Sequence, residues 1–334
     1  MESVIDGYVF PHPFSDNKTF AIQNNVKGLS LLKYWVKIYW NYFLTDRRLK
    51  KSIRLGKCYI GPFKGEYGHM TAHTAPFLMY LHKHGVKILY CGMELHKPLL
   101  VDETGKNIIH DFRPLRDFFA EVSPDSNSTI PPADVQEEIK KFEKEAVASG
   151  FPYWNIGDDY YYWFIHRNWL LKGHTHVYNL EKVYQTKAEK ACCIFPRSKG
   201  ARFSHNNGET WDYAELIEKL KPFFDKIYVT GHPSQVFHIT PSGNVELCIT
   251  TDNAKIYEKI ANSSLIITQH SGVINLGEYF NRKVLIIYKG GKSVTDIGSM
   301  NNTLRFRKSL GNKKPLSFAF TEEEIIEYVK KGLF

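Results

Sequence analysis

The sequence has no apolar run of about 18 residues or more, so no segment of it is expected to span a bilayer. Its 5 cysteines (Cys58, Cys91, Cys192, Cys193, Cys248) include no Cys-x-x-Cys pair, which removes the common zinc and redox spacings. The odd count, mostly inside apolar runs, points to reduced, buried thiols and a cytoplasmic location. No Gly-x-x-x-x-Gly-Lys-Ser/Thr loop is present, which argues against kinases and NTPases. No Gly-x-Gly-x-x-Gly follows a strand-like run, which argues against dinucleotide enzymes. The start, Met1 to Asp6, is acidic and lacks an apolar core, so no signal peptide is expected there.

What is present is positive charge and many aromatic residues, which can fill a core or stack on sugars and bases. The 334 residues carry a net charge of +9, with 20 Tyr, 22 Phe and 6 Trp. That balance favours anionic ligands, such as phosphates, a nucleic acid or an anionic membrane. The densest basic run is Arg47-Arg48-Leu49-Lys50-Lys51-Ser52-Ile53-Arg54. It directly follows a predicted helix over Leu29–Phe43 that is apolar nearly all round. Residues 29–54 therefore read either as a core helix with a solvated basic end or as a peripheral membrane contact.

The chain order is that of an α/β protein. A strand at Lys57–Phe63, a Gly-rich loop with Glu66 and His69, a helix over Thr71–His84 and a strand at Val86–Cys91 make one βαβ unit. Residues 97–132 read as irregular, and Asp134–Ala148 as an amphipathic helix. An aromatic stretch with Asp158, Tyr161 and Trp163 follows. After a polar connection near 180–190, strand, loop and helix alternate. Strands are predicted at Ala191–Phe195, Lys226–Val229, Leu265–Thr268 and Val284–Tyr288, and helices at Trp211–Phe223, Asn253–Asn262 and Thr321–Lys331. That pattern predicts open parallel sheets, whose ligands bind beyond the strand carboxyl ends. Arg197, Lys199, Arg202, Gly231, His232, His270, Ser271 and Gly272 would all gather on that rim. There, helix N-termini, Arg and Lys suit a phosphate or diphosphate.

Two α/β halves with a basic rim on one side and Glu and His on the other resemble glycosyltransferases of the GT-B architecture. The His270-Ser271-Gly272 turn, with Asn275, Leu276 and Gly277 behind it, is similar to the donor turn of bacterial heptosyltransferases and of xylosyltransferase-like enzymes. Heptosyltransferases carry Asp where His270 stands. Gly61-Pro62-Phe63 and Gly65-Glu66-Tyr67-Gly68 also resemble a first-domain pattern of capsule-type transferases.

The resemblance implies two Rossmann-like domains, 1–185 for the acceptor and 186–334 for the donor, with a cleft between them. The last helix is a candidate to pack back on the first domain. The implied reaction moves a sugar from a nucleotide diphosphate sugar to a hydroxyl of a glycan or glycoconjugate, with inversion. Glu66, then His69, would be the base. Arg197, Lys199, Arg202, Gly231, His232, His270, Ser271, Gly272, Asn275 and Glu278 would bind the donor, and Tyr67, Asp158, Tyr161 and Trp163 the acceptor. No Asp-x-Asp triplet occurs, which implies a metal-independent enzyme with no cofactor besides its donor. Open alternatives are an epimerase or sulfotransferase, or a non-catalytic glycan- or nucleic-acid-binding protein. No nucleic-acid-binding motif is present.

Overall fold

The computed structural model describes residues 28–65, 67–118, 131–156, 173–187, 189–196, 211–233, 239–269, 271–289, 300–312 and 316–332. Among these residues the strands form two sheets, and every pairing within them is parallel. The first has four strands: β1 (Lys57–Phe63), β2 (Lys87–Met93), β3 (Asp111–Leu115) and β4 (Tyr153–Trp154), in the order β3-β2-β1-β4. The second has six: β5 (Ala191–Phe195), β6 (Lys226–Gly231), β7 (Val245–Ile249), β8 (Leu265–Thr268), β9 (Lys283–Ile287) and β10 (Ser317–Ala319). Their order is β10-β9-β8-β5-β6-β7.

A parallel sheet has to be covered on both faces, and the helices supply the cover. α1 is Gly28–Leu55 and α2 is Ala75–Lys83, the latter preceded by a turn at Tyr67–His69 and a π turn at Met70–Thr74. α3 (Ala133–Ala148) places Val135, Ile139, Phe142 and Ala146 on one stripe against the first sheet. α4 is the short Glu181–Tyr184. α5 (Tyr213–Leu220) and α9 (Glu322–Lys330) cover one face of the second sheet. α6 (Asn253–Asn262), α7 (Leu276–Phe280) and α8 (Met300–Ser309) contribute to the core on the other. That core is continuous with the first sheet, since Cys58, Ile60, Phe63 and Phe77 join one apolar cluster with Tyr257, Ile266, Tyr279 and Phe306.

Several sequence expectations are corrected. The helix expected at Leu29–Phe43 continues through the basic run to Leu55, because Arg, Lys and Leu are strong helix formers. The segment expected to be irregular, 97–132, contains β3. Pro114 is tolerated there because β3 is an edge strand. β7, β10 and α8 were not anticipated. The described residues of the final helix pack on the second half, where Lys219 pairs with Glu322 and the Tyr328 hydroxyl donates to Ser317 Oγ at 3.2 Å.

The described residues 173–187 carry the chain from the first sheet toward the second. His176 N–H donates to Pro76 O at 3.0 Å, still in the first half. Leu180 N–H then donates to Tyr279 O at 2.7 Å, and the N–H groups of Thr186 and Lys187 each reach Asn262 Oδ1 at 3.0 Å. Residues 180–187 are thereby fastened to the second half.

Candidate active site

The second sheet turns back on itself at its centre. From β5 the chain runs to β6 and β7 on one side, then from β8 to β9 and β10 on the other. This is the doubly wound order 3-2-1-4-5-6, and its crevice lies between β5 and β8 at their carboxyl ends. Phe195 and Thr268 are register partners, so the loops after these two strands start side by side. The first loop leads into Arg197, Lys199 and Arg202, which lie outside the described residues, as does His270 in the second. Ser271 is described. Its side chain caps the 3-10 turn Gly272–Asn275 by accepting from Val273 N–H at 3.4 Å. The Gln269 amide oxygen beside it accepts from the Tyr213 hydroxyl at 2.7 Å.

The carboxyl edge of the first sheet meets this rim directly. Thr71 is the hub. Its hydroxyl lies 3.0 Å from Gly272 O and accepts from Asn275 Nδ2 at 3.0 Å, and its carbonyl accepts from the Tyr279 hydroxyl at 2.6 Å. The Tyr67 and Tyr257 hydroxyls are 2.7 Å apart. Asn253 Nδ2 donates to Leu95 O at 2.6 Å, and His232 Nε2 lies 3.1 Å from Asp117 Oδ2. These contacts join the ends of β1, β2 and β3 to the segments that follow β6, β7 and β8. Two glycines let the backbones touch. A Cβ on Gly272 would sit 2.5 Å from both Cα and N of Gly68 and 2.9 Å from the Tyr67 carbonyl carbon. Gly61, within β1, has φ +128° and a Cβ there would lie 2.4 Å from Cys91 O.

Electrostatics at this junction are set by burial. His96 is fully buried between the rings of Phe63 and Tyr67, at centroid distances of 5.6 and 5.8 Å. Neither of its ring nitrogens has a hydrogen-bond partner among the described residues. Burial lowers its pKa to about 3, against a smaller opposing pull from Asp117, so the ring is neutral. Burial raises the Tyr67 and Tyr257 phenols, so both stay protonated. His69 and His73 sit edge to face, with ring centroids 6.1 Å apart. Among the described residues no cluster of His, Cys, Asp or Glu could hold a metal ion.

No family model matches the chain, and no curated protein matches its sequence. Solved structures do match its shape. A glycosyl transferase family 9 protein from Veillonella parvula superposes with a TM-score of 0.50 at 13% identity, over 82% of this chain and 96% of that one. The chain has the GT-B fold. The E. coli heptosyltransferase WaaC, solved with ADP-2-deoxy-2-fluoro heptose, aligns at 11% identity and a TM-score of 0.49, covering 83% and 99% of the two chains.

Within this GT-B frame the sequence-predicted residues fall into groups. Ser271, Gly272 and His69 come together where the two halves meet, and Tyr67 with them. Gly231 ends β6, and His232 stands next to Asp117 of the facing edge. Asn275 is also at the junction, but buried, with its amide N–H given to Thr71. Glu278 faces elsewhere. Its carboxylate pairs with Arg307 Nε at 2.6 Å and accepts from Asn312 Nδ2 at 2.9 Å, toward α8. Glu66, Asp158, Tyr161 and Trp163 lie outside the described residues. Thr71, His96 and Asp117 were missed. Asp117 follows β3, and without that strand the sequence gives no sign that it sits at a carboxyl edge.

Proposed function

We propose that the chain is a glycosyltransferase that moves a sugar from a nucleotide diphosphate donor to a hydroxyl of a glycan or glycoconjugate. One observation carries the reading: the carboxyl edges of two parallel sheets face each other, so a donor at the β5/β8 crevice would meet an acceptor presented by the loop after β1. The Veillonella neighbour, a glycosyl transferase by its name, supports the same class.

In this reading Arg197, Lys199 and Arg202, which follow β5, neutralise the diphosphate as it leaves, and Ser271 and His270 contact its oxygens. Gly231 and His232 border the same rim. Glu66, or failing it His69, takes the proton from the attacking hydroxyl. Direct attack from the opposite face inverts the anomeric carbon. Side-chain cations take the role that a metal ion plays elsewhere, consistent with the missing Asp-x-Asp triplet. Asn275 and Glu278 are left out of donor contact, because Thr71 and Arg307 already hold them. The free, buried cysteines favour a reducing, cytoplasmic setting.

The test is a thermal-shift series with UDP, GDP, CMP, ADP and TDP in the presence of EDTA. A ligand at about 100 times its Kd stabilises the folded state by about 2.7 kcal/mol. A clear shift with one nucleotide supports the reading and names the donor base. No shift with any of them transfers the weight to a non-catalytic glycan-binding protein.

A further inference from the structure

α1 has two faces, and among the described residues one of them is packed over the second half of the helix. Tyr42, Thr45, Leu49 and Ser52 recur at helical spacing and are buried. Ser52 Oγ accepts from the buried Trp154 Nε1 at 3.0 Å, which docks the second half of the helix on β4. On the opposite side, Leu29, Leu32, Val36, Tyr39, Trp40 and Phe43 also recur at helical spacing and are exposed. Leu29 is 78% exposed, Val36 61% and Trp40 59%. A contiguous apolar stripe of this kind is rare on the free surface of a soluble monomer.

The same outer face changes character at Phe43. One turn on, Arg47 places its guanidinium 5.6 Å from the Phe43 ring centroid. Lys50, Lys51 and Arg54 continue the line, all exposed, and Lys33 and Lys37 flank the apolar part. Asp46 is the one acidic residue of the helix. The helix therefore presents four apolar turns followed by a row of cations, with aromatic rings at the join.

We infer that this face of α1 docks on an anionic phospholipid surface. The apolar turns sink into the acyl boundary, Tyr39 and Trp40 sit at headgroup depth, and Arg47 to Arg54 meet lipid phosphates. No described helix is long and apolar enough to cross a membrane, so α1 lies on the surface. A second copy of the chain fits less well, since it would bring the same cationic row with it and leave that row unneutralised. The inference does not depend on the reaction proposed above.

Vesicle flotation of the full chain tests it, with phosphatidylcholine alone and with phosphatidylglycerol added. Flotation is expected only with the anionic vesicles and should fall in high salt. Lys50→Gln/Lys51→Gln/Arg54→Gln should weaken it by roughly 100-fold, the combined loss of three surface cations. Trp40→Glu/Phe43→Glu should abolish it, while the melting temperature stays at the wild-type value because both rings are exposed. Equal flotation with neutral vesicles, or unchanged flotation of either variant, overturns the inference. So does a concentration-dependent dimer that floats with neither vesicle, which would assign the face to a second copy.

Discussion

Substituting Gly272 by alanine probes the contact on which the site is built. The new methyl would lie 2.5 Å from the Gly68 Cα and N and 2.9 Å from the Tyr67 carbonyl carbon. All three are backbone atoms, so no side-chain rotation relieves the clash. Relief requires the two carboxyl edges to part by about an ångström. Such overpacking costs about 1–3 kcal/mol. Parting also stretches the Thr71–Gly272 and Tyr67–Tyr257 hydrogen bonds, now 3.0 and 2.7 Å, each worth about 1 kcal/mol. The sum is about 3–5 kcal/mol. At about 2.1 cal/mol/K per residue, a 334-residue chain melting as one unit shifts by about 1.4 °C per kcal/mol, so the melting temperature should fall by about 4–7 °C. Differential scanning fluorimetry against wild type gives the number directly. A melting temperature within about 1 °C of wild type would refute the backbone contact, and with it the facing-edge geometry.

Three further outcomes are expected. His96 is neutral when folded, whereas in the unfolded chain it gains a proton below about pH 6.5, so its burial costs stability as pH falls from about 6.5 toward about 3. At about 1.4 kcal/mol per pH unit, wild type should lose about 2 kcal/mol more than His96→Phe between pH 6.5 and 5, and parallel melting curves across that range would show that the ring is not held neutral. Arg197→Ala should weaken nucleotide diphosphate binding by about 1–3 kcal/mol in calorimetry, and unchanged affinity would remove Arg197 from the site. Glu66→Gln should lower turnover by roughly 10²–10⁴-fold with donor affinity nearly intact; a rate close to wild type would pass the role of base to His69.

The interior strands were the legible part of this fold. β5, β8 and α6 read directly from the sequence because each is a short apolar run or amphipathic stretch with clear stops. The edge strands were not. β3 contains Asp111, Arg113 and Pro114, and β7 contains Glu246, because an edge has less to bury. For α1, the sequence showed apolar residues all round but not which of them the first sheet would cover. At the site, the ends of β5 and β8 from which the loops leave were legible, but the partners across the junction were invisible. The pairing of Thr71 with Gly272 spans 201 residues, and that of Glu278 with Arg307 is set by a helix that gave no apolar signal. Local pattern reports which face of an element is apolar, and only packing decides what meets it.

The apolar cluster that runs through both sheets bears on how the molecule comes apart. Two domains joined by a thin polar interface melt separately and swing freely. Here Cys58, Phe77, Tyr257 and Tyr279 belong to one interior, so loosening either half uncovers apolar surface on the other. Calorimetry should therefore record a single heat-absorption peak for the whole chain. A second half produced alone would carry Tyr257 and Tyr279 as a bare, adhesive patch and precipitate unless the first half were supplied alongside it. The two halves would behave as one unit of inheritance, with residues of the first accepted or rejected by evolution according to their fit against the second.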